Sequence, residues 1–302
     1  MTSSVINSLQ PWPIVNRWAR ETDIRHSLLH RVRIHWPMTG GIFLLRAKPE
    51  LGKYLLWLHF SKNKQISPYL PATRRLNHEA FVTYLRRYQM IYAKPSGGSM
   101  GIGIMKIWTK DDRVFVKKTV LPTRSFATEE AAWRYIRQQQ GGKPYIVQQG
   151  LRLATIDGRV FDIRVMMQRT APGGPWKYSG MLAKVAGHSS VVTNVALSKG
   201  SVLEIEPALK RAFRWNEKTI QEKTALLKSV ALRAANHFDT YQKYRELGFD
   251  MAFDANGKLW MIEQNTGPSH PLFKRLKSNL RMWRLIEYRY GQYQRARQGL
   301  RR

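Results

Sequence analysis

Two acidic side chains near the end of the chain have a spacing suited to binding a divalent cation. Asp250 and Glu263 lie in apolar runs on either side of Asn256-Gly257, a dipeptide typical of a two-residue hairpin turn. Counting outward from that turn pairs Asp250 with Glu263, and side-chain alternation places Asn265 on the same face. Opposed carboxylates repel, whereas Mg²⁺ binds one or two carboxylates together with water and phosphate oxygens. We therefore predict a magnesium site at these three residues.

The same hairpin is also compatible with two arrangements that hold no metal. Its acids could simply be solvated at the protein surface. A register shifted by one residue would instead send Asp250 and Glu263 to opposite faces of the sheet.

A glycine-rich loop follows a short strand-like run at residues 91–95. Four glycines and two serines within residues 96–103 let backbone N–H groups turn toward an anion without interference from Cβ atoms. These residues are Ser96, Gly97, Gly98, Ser99, Gly101 and Gly103. The loop matches neither the Walker A pattern nor the Rossmann fingerprint. Phosphate is its expected ligand, with Lys94 as an adjacent point charge, and a flexible hairpin tip is the alternative.

A further pair of charged side chains occurs in the middle of the chain. Asp157-Gly158 marks a turn, and the alternation over residues 161–165 then predicts a strand with Asp162 and Arg164 on one face. These two side chains could form an ion pair with each other or extend together into a site.

Taken in order, these segments resemble the ATP-grasp superfamily, and most closely its YheC/YheD-like branch, named for endospore coat-associated proteins. The resemblance extends over about residues 66–290. It is carried by Leu70–Thr73, Ala93–Ile104, Val147–Leu151, Phe161–Val165, Val192–Asn194, Glu246–Asp250 and Ile262–Asn265.

The resemblance implies an α+β protein with the ATP-grasp fold, in which a nucleotide is held between two α+β lobes. We expect a shortened N-terminal lobe at residues 1–65, a first ATP-grasp lobe at 66–147 and a second at 148–302. The N-terminal segment is rich in Trp and Arg, which could form a small core or stack on bases. A helix at residues 219–239, with Ile220, Leu227, Val230 and Ala234 on its buried side, is expected as scaffold.

The resemblance also assigns roles to individual residues. Lys94 and the glycine loop would contact the nucleotide phosphates, whereas Gln148, Gln149 and the backbone near Leu151 would line the adenine pocket. The upstream nucleotide lysine usual in the superfamily would be Lys62 or Lys64.

Catalytic and metal-binding roles follow in the same way. Arg164, Lys184 and Asn194 would contact the γ-phosphate, the acylphosphate or the substrate, and Asp250, Glu263 and Asn265 match the magnesium ligands.

The implied activity is an ATP-dependent carboxylate-amine ligase that forms an amide through an acylphosphate, with ATP and Mg²⁺ as cofactors. Its substrates would be a small-molecule or peptide carboxylate and an amine. One alternative keeps the ATP site and transfers phosphate to a hydroxyl, as a kinase does. A second is a polyanion-binding protein with a regulatory nucleotide site.

The chain carries a net charge of +31, from 51 Lys and Arg against 20 Asp and Glu, which attracts acidic partners. Ten of these cations follow residue 273 with a single acid, Glu287, on a segment of helical apolar spacing. They are Lys274, Arg275, Lys277, Arg281, Arg284, Arg289, Arg295, Arg297, Arg301 and Arg302. This segment predicts a docked basic helix, which could be a solvated face, a surface for a polyanionic partner or a contact with an anionic membrane.

The remaining composition excludes several classes of protein. With no Cys, the chain has no disulfide scaffold, thiol nucleophile or cysteine metal site. The apolar runs are too short for a transmembrane segment, and no secretory signal is recognisable, so a cytoplasmic enzyme is expected.

Overall fold

The computed structural model describes residues 51–98, 101–119, 121–187, 193, 199–277 and 279–300. These residues belong to one unit, Lys48–Arg302. The preceding unit, Met1–Ala47, lies outside the described residues, and with it most of the predicted N-terminal lobe. Helix α1, Lys53–Ser61, is the first described element.

The first lobe is a six-stranded antiparallel sheet in the order β1-β6-β2-β3-β4-β5. Helices α2 and α3 pack on it around Phe81, Leu85 and Ile136. The elements are β1 (Thr73–Arg75), α2 (His78–Tyr88), β2 (Met90–Pro95), β3 (Met105–Lys110), β4 (Arg113–Lys118), β5 (Arg124–Phe126), α3 (Glu129–Gln140) and β6 (Tyr145–Gln149).

Local sequence determines where both helices of this lobe begin. The Asn77 side chain accepts a hydrogen bond from the Ala80 backbone, and the Thr128 side chain accepts one from Ala131. Acidic residues in the first turn of each helix interact favourably with the helix dipole.

The second lobe is built on a sheet in the order β10-β9-β8-β11-β12, with β7 beside β8. Its strands are β7 (Thr155–Ile156), β8 (Arg159–Gln168), β9 (Lys177–Val185), β10 (Ser201–Leu203), β11 (Glu246–Phe253) and β12 (Leu259–Asn265). Its helices are α4 (Ile205–Phe213), α5 (Glu217–Phe238), α6 (Pro271–Lys274) and α7 (Arg281–Gly299). Helix α5 confirms the amphipathic helix predicted at residues 219–239, including its buried side.

Side-chain alternation gives the two faces of this sheet different partners. Ile163 and Val165 of β8 pack in the main core with α4 and α5. Met166 and Leu182 lie on the other face, where they pack with Ile286 of α7. Asp162 and Arg164 share that second face, since they alternate with the core residues of β8.

The β11–β12 hairpin corrects one prediction and confirms another. The prediction of a two-residue turn at Asn256-Gly257 is wrong, because the last strand pair is Phe253–Leu259 and the loop between these residues is longer. Within that loop the Asp254 side chain accepts hydrogen bonds from the backbone N–H groups of Asn256 and Lys258. Asp250 nevertheless pairs with Glu263. A bulge between the pairs Asp250–Glu263 and Met251–Met261 leaves Ile262 as the extra residue and restores the predicted register.

Helix α1 is attached to α5 by two histidines. The rings of His59 and His237 stack at 4.5 Å, and each ring Nε2 contacts the backbone carbonyl of the other residue, at 3.3 and 2.9 Å. Phe60 packs against Phe238 beside them. Burial, followed by the proximity of His237, lowers the pKa of His59 from its ordinary value.

Within the described residues, no helix has the length and apolar character needed to cross a membrane.

The histidine contact predicts an acid-sensitive attachment of α1. Because the folded-state pKa of His59 lies below its unfolded value of 6.5, the unfolded chain binds the proton more readily as the pH falls. His237, Lys62 and Tyr241 are the titratable groups around the ring, and none supplies a negative charge at neutral pH. We expect the stability advantage of the parent over His59→Asn to shrink as the pH drops from about 7.5 to about 5.

Urea unfolding at several pH values measures this difference. The His78→Asn variant, which changes an exposed histidine of the first lobe, is the control. An advantage that is constant with pH would contradict the assignment.

Candidate functional site

Four neighbouring strands bring charged side chains to one face of the second sheet. Asp250 on β11 lies opposite Arg164 on β8 and, on its other side, opposite Glu263 on β12. Asp162 on β8 lies opposite Lys184 on β9. Paired residues project from the same face of a sheet, so the register alone gathers these five groups.

Asp250 is the buried centre of the cluster. Its carboxylate accepts a bidentate interaction from Arg164, with Nε–Oδ1 at 2.6 Å and Nη2–Oδ2 at 3.1 Å, and Lys184 Nζ lies 3.1 Å from Oδ1. Burial alone would raise the pKa of Asp250, but the two cations hold it well below its usual range. Asp250 is therefore ionised at any pH at which the protein would work.

Glu263, the acid opposite Asp250, also forms an ion pair with a cation. Lys53 Nζ, from the first turn of α1, lies 3.1 Å from Glu263 Oε1. The repulsion expected between Asp250 and Glu263 is thus offset by the chain's own side chains. The Glu263 side chain is 34% exposed against 9% for Asp250, so Glu263 is the more accessible oxygen ligand.

The donor set fits a magnesium ion that keeps water and phosphate oxygens. Asp250, Glu263 and the Asn265 amide supply only hard oxygens, and Asn265 lies within reach of Asp250, with Nδ2–Oδ2 at 3.5 Å. No group of three or more His, Cys, Asp or Glu able to hold a metal occurs among the described residues. A magnesium ion held by two carboxylates and one amide oxygen would keep positions open for water and for oxygens of a bound ligand.

Lys53 lines the cleft beside Glu263, and the sequence analysis did not single it out. In addition to its ion pair with Glu263, its Nζ donates to the Gly98 carbonyl in the glycine loop at 2.8 Å. Its backbone N–H donates to the Ser96 carbonyl at 2.7 Å. Lys62 and Lys64, the predicted upstream lysines, are exposed, and neither lines the cleft. The structure favours Lys53 over Lys62 and Lys64 for this role, because α1 packs against the loop and brings Lys53 into the cleft.

The glycine loop uses glycine where the backbone requires it. Gly98, Gly101 and Gly103 have φ values of 88°, 77° and 78°. A Cβ at Gly103 would also lie 3.0 Å from both Pro95 Cγ and Tyr145 Oη. Ser96 and Gly97 are described with them, whereas Ser99 lies outside the described residues.

Lys94 is held inside the cleft by a chain of hydrogen bonds. Its Nζ donates to Gln148 Oε1 at 2.7 Å, and Gln148 Nε2 donates to Thr73 Oγ1 at 3.0 Å. Burial lowers the pKa of Lys94 to about 8. An anion in the cleft would favour its protonated form.

A cleft that is open to solvent lies between the two sheets. Leu56, Trp57 and Phe60 of α1 form one wall, and Ile146 and Ile262 contribute apolar surface from the two sheets. Its polar lining comes from Lys53, Lys94, Gln148, Glu263 and Gln264.

The predicted adenine residues differ in where their side chains lie. Gln148 lines the cleft, but the Gln149 side chain accepts a hydrogen bond from the Ala72 backbone at 3.3 Å. Leu151 follows β6 and is not a lining residue of the cleft in the described part of the chain.

Asp162 forms a second carboxylate–cation pair at the end of the cluster. Lys184 Nζ lies 2.9 Å from Asp162 Oδ1, and the Thr193 hydroxyl donates to Oδ2. Burial raises the pKa of Asp162 to about 6. Asp162 and Arg164 thus share a face but have separate partners, and Lys184 bridges the two acids. Asn194, predicted beside them, lies outside the described residues.

Two solved structures have a similar arrangement of the chain. The D-cycloserine synthetase DcsG matches with a TM-score of 0.49 at 14% identity, over 79% of this chain and 70% of that chain. The ATP-grasp ligase PsnB, solved with minimal precursor, Mg and ADP, matches with a TM-score of 0.41 at 13% identity, over 80% of this chain and 61% of that chain.

The amino-acid sequence gives the stronger comparison. The chain is 26% identical over 217 residues to the endospore coat-associated protein YheD of Bacillus subtilis (strain 168), over 70% of this chain and 47% of the relative. It therefore spans about half the length of that curated relative. The family model described as YheC/D like ATP-grasp matches residues 44–293, which is most of the chain. The chain belongs to the YheC/D-like ATP-grasp family and has the ATP-grasp fold.

Proposed function

We propose that this protein is an ATP-dependent carboxylate-amine ligase that forms an amide through an acylphosphate. One observation carries the proposal: three cations, Lys53, Arg164 and Lys184, pair with two carboxylates that fit a magnesium ion. A fourth cation, Lys94, lines the same cleft as Glu263. This arrangement suits a polyphosphate held together with a divalent metal.

Binding of the nucleotide would exchange one set of ion pairs for another. A bound magnesium ion would supply charge neutralisation at the phosphates. Asp250, Glu263 and Asn265 would hold it, which would free Lys53 from Glu263 and Lys184 from Asp250, while Lys184 keeps its contact with Asp162. Both ammonium groups could then contact phosphate, with Lys94 at the glycine loop.

The chain's part in the reaction is positioning and charge stabilisation. A substrate carboxylate oxygen would attack the γ-phosphorus, break its bond to the bridging oxygen and release ADP. An amine would then attack the acyl carbon, lose a proton and expel inorganic phosphate, which leaves the amide. Arg164 and Lys184 would stabilise the charge on the transferring phosphoryl group.

The substrates would be a small-molecule or peptide carboxylate and an amine, and a polyanionic partner would bind on the basic C-terminal helix. The cytoplasmic location expected from the sequence stays a prediction. The coat association in the name of YheD is a property of that relative.

The reaction itself is tested by following ATP turnover with pools of acids and amines. ADP release that needs both an acid and an amine, with an amide product, would support the ligase. A phosphorylated product without an amine requirement would identify the kinase alternative. Nucleotide binding without turnover would favour the regulatory alternative.

Glu263→Gln is expected to abolish magnesium-dependent ATP turnover and leave the fold intact. The substitution removes the accessible carboxylate of the metal set and keeps the side-chain shape. We expect a loss of at least about 100-fold in turnover, measured as ADP release, with an unchanged unfolding transition. Glu206→Gln, an exposed acid on α4, is the matched control. Near-normal turnover in Glu263→Gln would remove this residue from the metal site.

Lys53→Gln tests the corrected assignment of the upstream lysine. Loss of the ammonium should weaken ATP binding about tenfold, since charge-assisted contacts to phosphate are stronger than neutral ones. Lys62→Gln makes the same chemical change on an exposed lysine and should leave ATP binding unchanged. Isothermal titration of both variants with magnesium and a nonhydrolysable ATP analogue measures the difference. A larger effect at Lys62 than at Lys53 would overturn the assignment.

A further inference from the structure

The outer surface of α6 and α7 carries a positive charge that the described chain does not neutralise. Seven of its cations are exposed, and this set defines the α6–α7 basic surface: Lys274, Arg275, Lys277, Arg281, Arg284, Arg295 and Arg297. Glu287 is the one acid between residues 268 and 300, and its carboxylate contacts His270 Nδ1 at 3.0 Å. None of the seven pairs with a carboxylate in the described part of the chain.

Part of this charge forms a straight stripe on α7. Arg281, Arg284, Tyr288 and Arg295 are separated by three, four and seven residues, which places them on one side of a helix. The stripe is about 21 Å long, because each helical residue rises about 1.5 Å. It is therefore long enough to contact several successive groups of an extended polymer.

The opposite side of α7 is fixed to the protein. Ile286 is buried with Met166 and Leu182 of the second sheet, and a Cβ at Gly180 of β9 would lie 3.0 Å from Met282 Sδ. Gln168 Nε2 donates to the Ile286 carbonyl at 3.2 Å. The main apolar side of α7 is therefore occupied, and Leu285 and Leu300 are its exposed aliphatic side chains, less apolar surface than a free amphipathic helix inserts into a lipid surface.

Tyr288 distinguishes among polyanions. Tyr288 is 59% exposed in the middle of the stripe, and Gln292 Nε2 donates to its hydroxyl at 3.0 Å. An exposed aromatic ring between arginines offers a stacking platform for a base. In a duplex the bases are already stacked and paired, so this platform suits a single strand.

The cations themselves also favour phosphate. Five of the seven are arginines, whose planar guanidinium groups make bidentate contacts to phosphate oxygens. We propose that the α6–α7 basic surface binds single-stranded nucleic acid, with its arginines on the phosphates and Tyr288 stacked on a base. This proposal does not depend on the ligase activity, since the surface shares no residue with the nucleotide cleft.

Binding is measured with the full chain and a fluorescent oligouridylate of about 20 nucleotides, by anisotropy. If about five phosphates are neutralised, affinity should fall about 100-fold between about 50 and 200 mM salt, as counterions are released. The triple variant Arg281→Gln, Arg284→Gln, Arg295→Gln should weaken binding at least tenfold at the lower salt concentration.

A matched variant separates the surface from total charge. Arg134→Gln, Lys218→Gln, Arg233→Gln removes three exposed cations elsewhere and should bind the strand nearly as well as the parent. Equal losses in the two triple variants would overturn the proposal, because the binding would then reflect net charge alone.

Tyr288→Ala tests the class of polymer. It should weaken binding to the single strand about tenfold and leave binding to heparin unchanged, since heparin has no base to stack. Equal affinity of parent and Tyr288→Ala for the single strand would overturn the stacking role. Tighter binding to heparin, duplex DNA or phosphatidylserine vesicles than to the single strand would assign the surface to another partner.

Discussion

The buried carboxylate of Asp250, held between Arg164 and Lys184, is the interaction on which the second lobe depends. The three side chains come from three adjacent strands and are almost entirely removed from solvent. Loss of one partner of such a cluster would leave an uncompensated buried charge, at a cost of about 3–5 kcal/mol. The charged cluster and the apolar alternation therefore both fix the register of β8, β9 and β11. A slip of one residue would turn Asp250, Arg164 or Lys184 toward the apolar core beneath α4 and α5.

The same face of the sheet supports both a polar site and a packed helix. Beyond Arg164 and Asp250, the next residues on this face of the sheet are Met166 and Gly248. Glycine is required at position 248, because a Cβ there would lie 2.7 Å from Pro268 Cβ and 3.2 Å from Arg164 Cδ. The segment after β12 can therefore cross the sheet beside Arg164. It leads to His270, whose ring contacts Glu246 at 2.8 Å and Glu287 of α7 at 3.0 Å, so the C-terminal helix is anchored beside the cleft.

Helix α1 completes the cleft from outside both sheets. It supplies Lys53 at one end and the stacked histidine contact at the other, and Trp57 Nε1 donates to the Pro71 carbonyl at 3.0 Å between them. The helix thus connects the glycine loop of the first lobe to α5 of the second. Any motion of one lobe relative to the other must break or carry along at least one of these contacts.

The sequence by itself determined the type of the elements and the main acidic pair. Short-range signals are local in the chain, so the amphipathic pattern of α5, the glycine loop and the pairing of Asp250 with Glu263 could be predicted. The turn of that hairpin could not be predicted. The loop held by the Asp254 side chain shifts the strand register by one residue, and the bulge at Ile262 shifts it back, so the two errors cancel at Asp250 and Glu263. Only the tertiary structure decided which cations pair with these acids. Lys53 contacts Glu263, more than 200 positions away in sequence, because α1 folds back onto the cleft. Lys184 contacts both Asp162 and Asp250 because β9 lies beside β8. Contacts between distant segments depend on how the elements pack, and no local spacing in the chain records that packing.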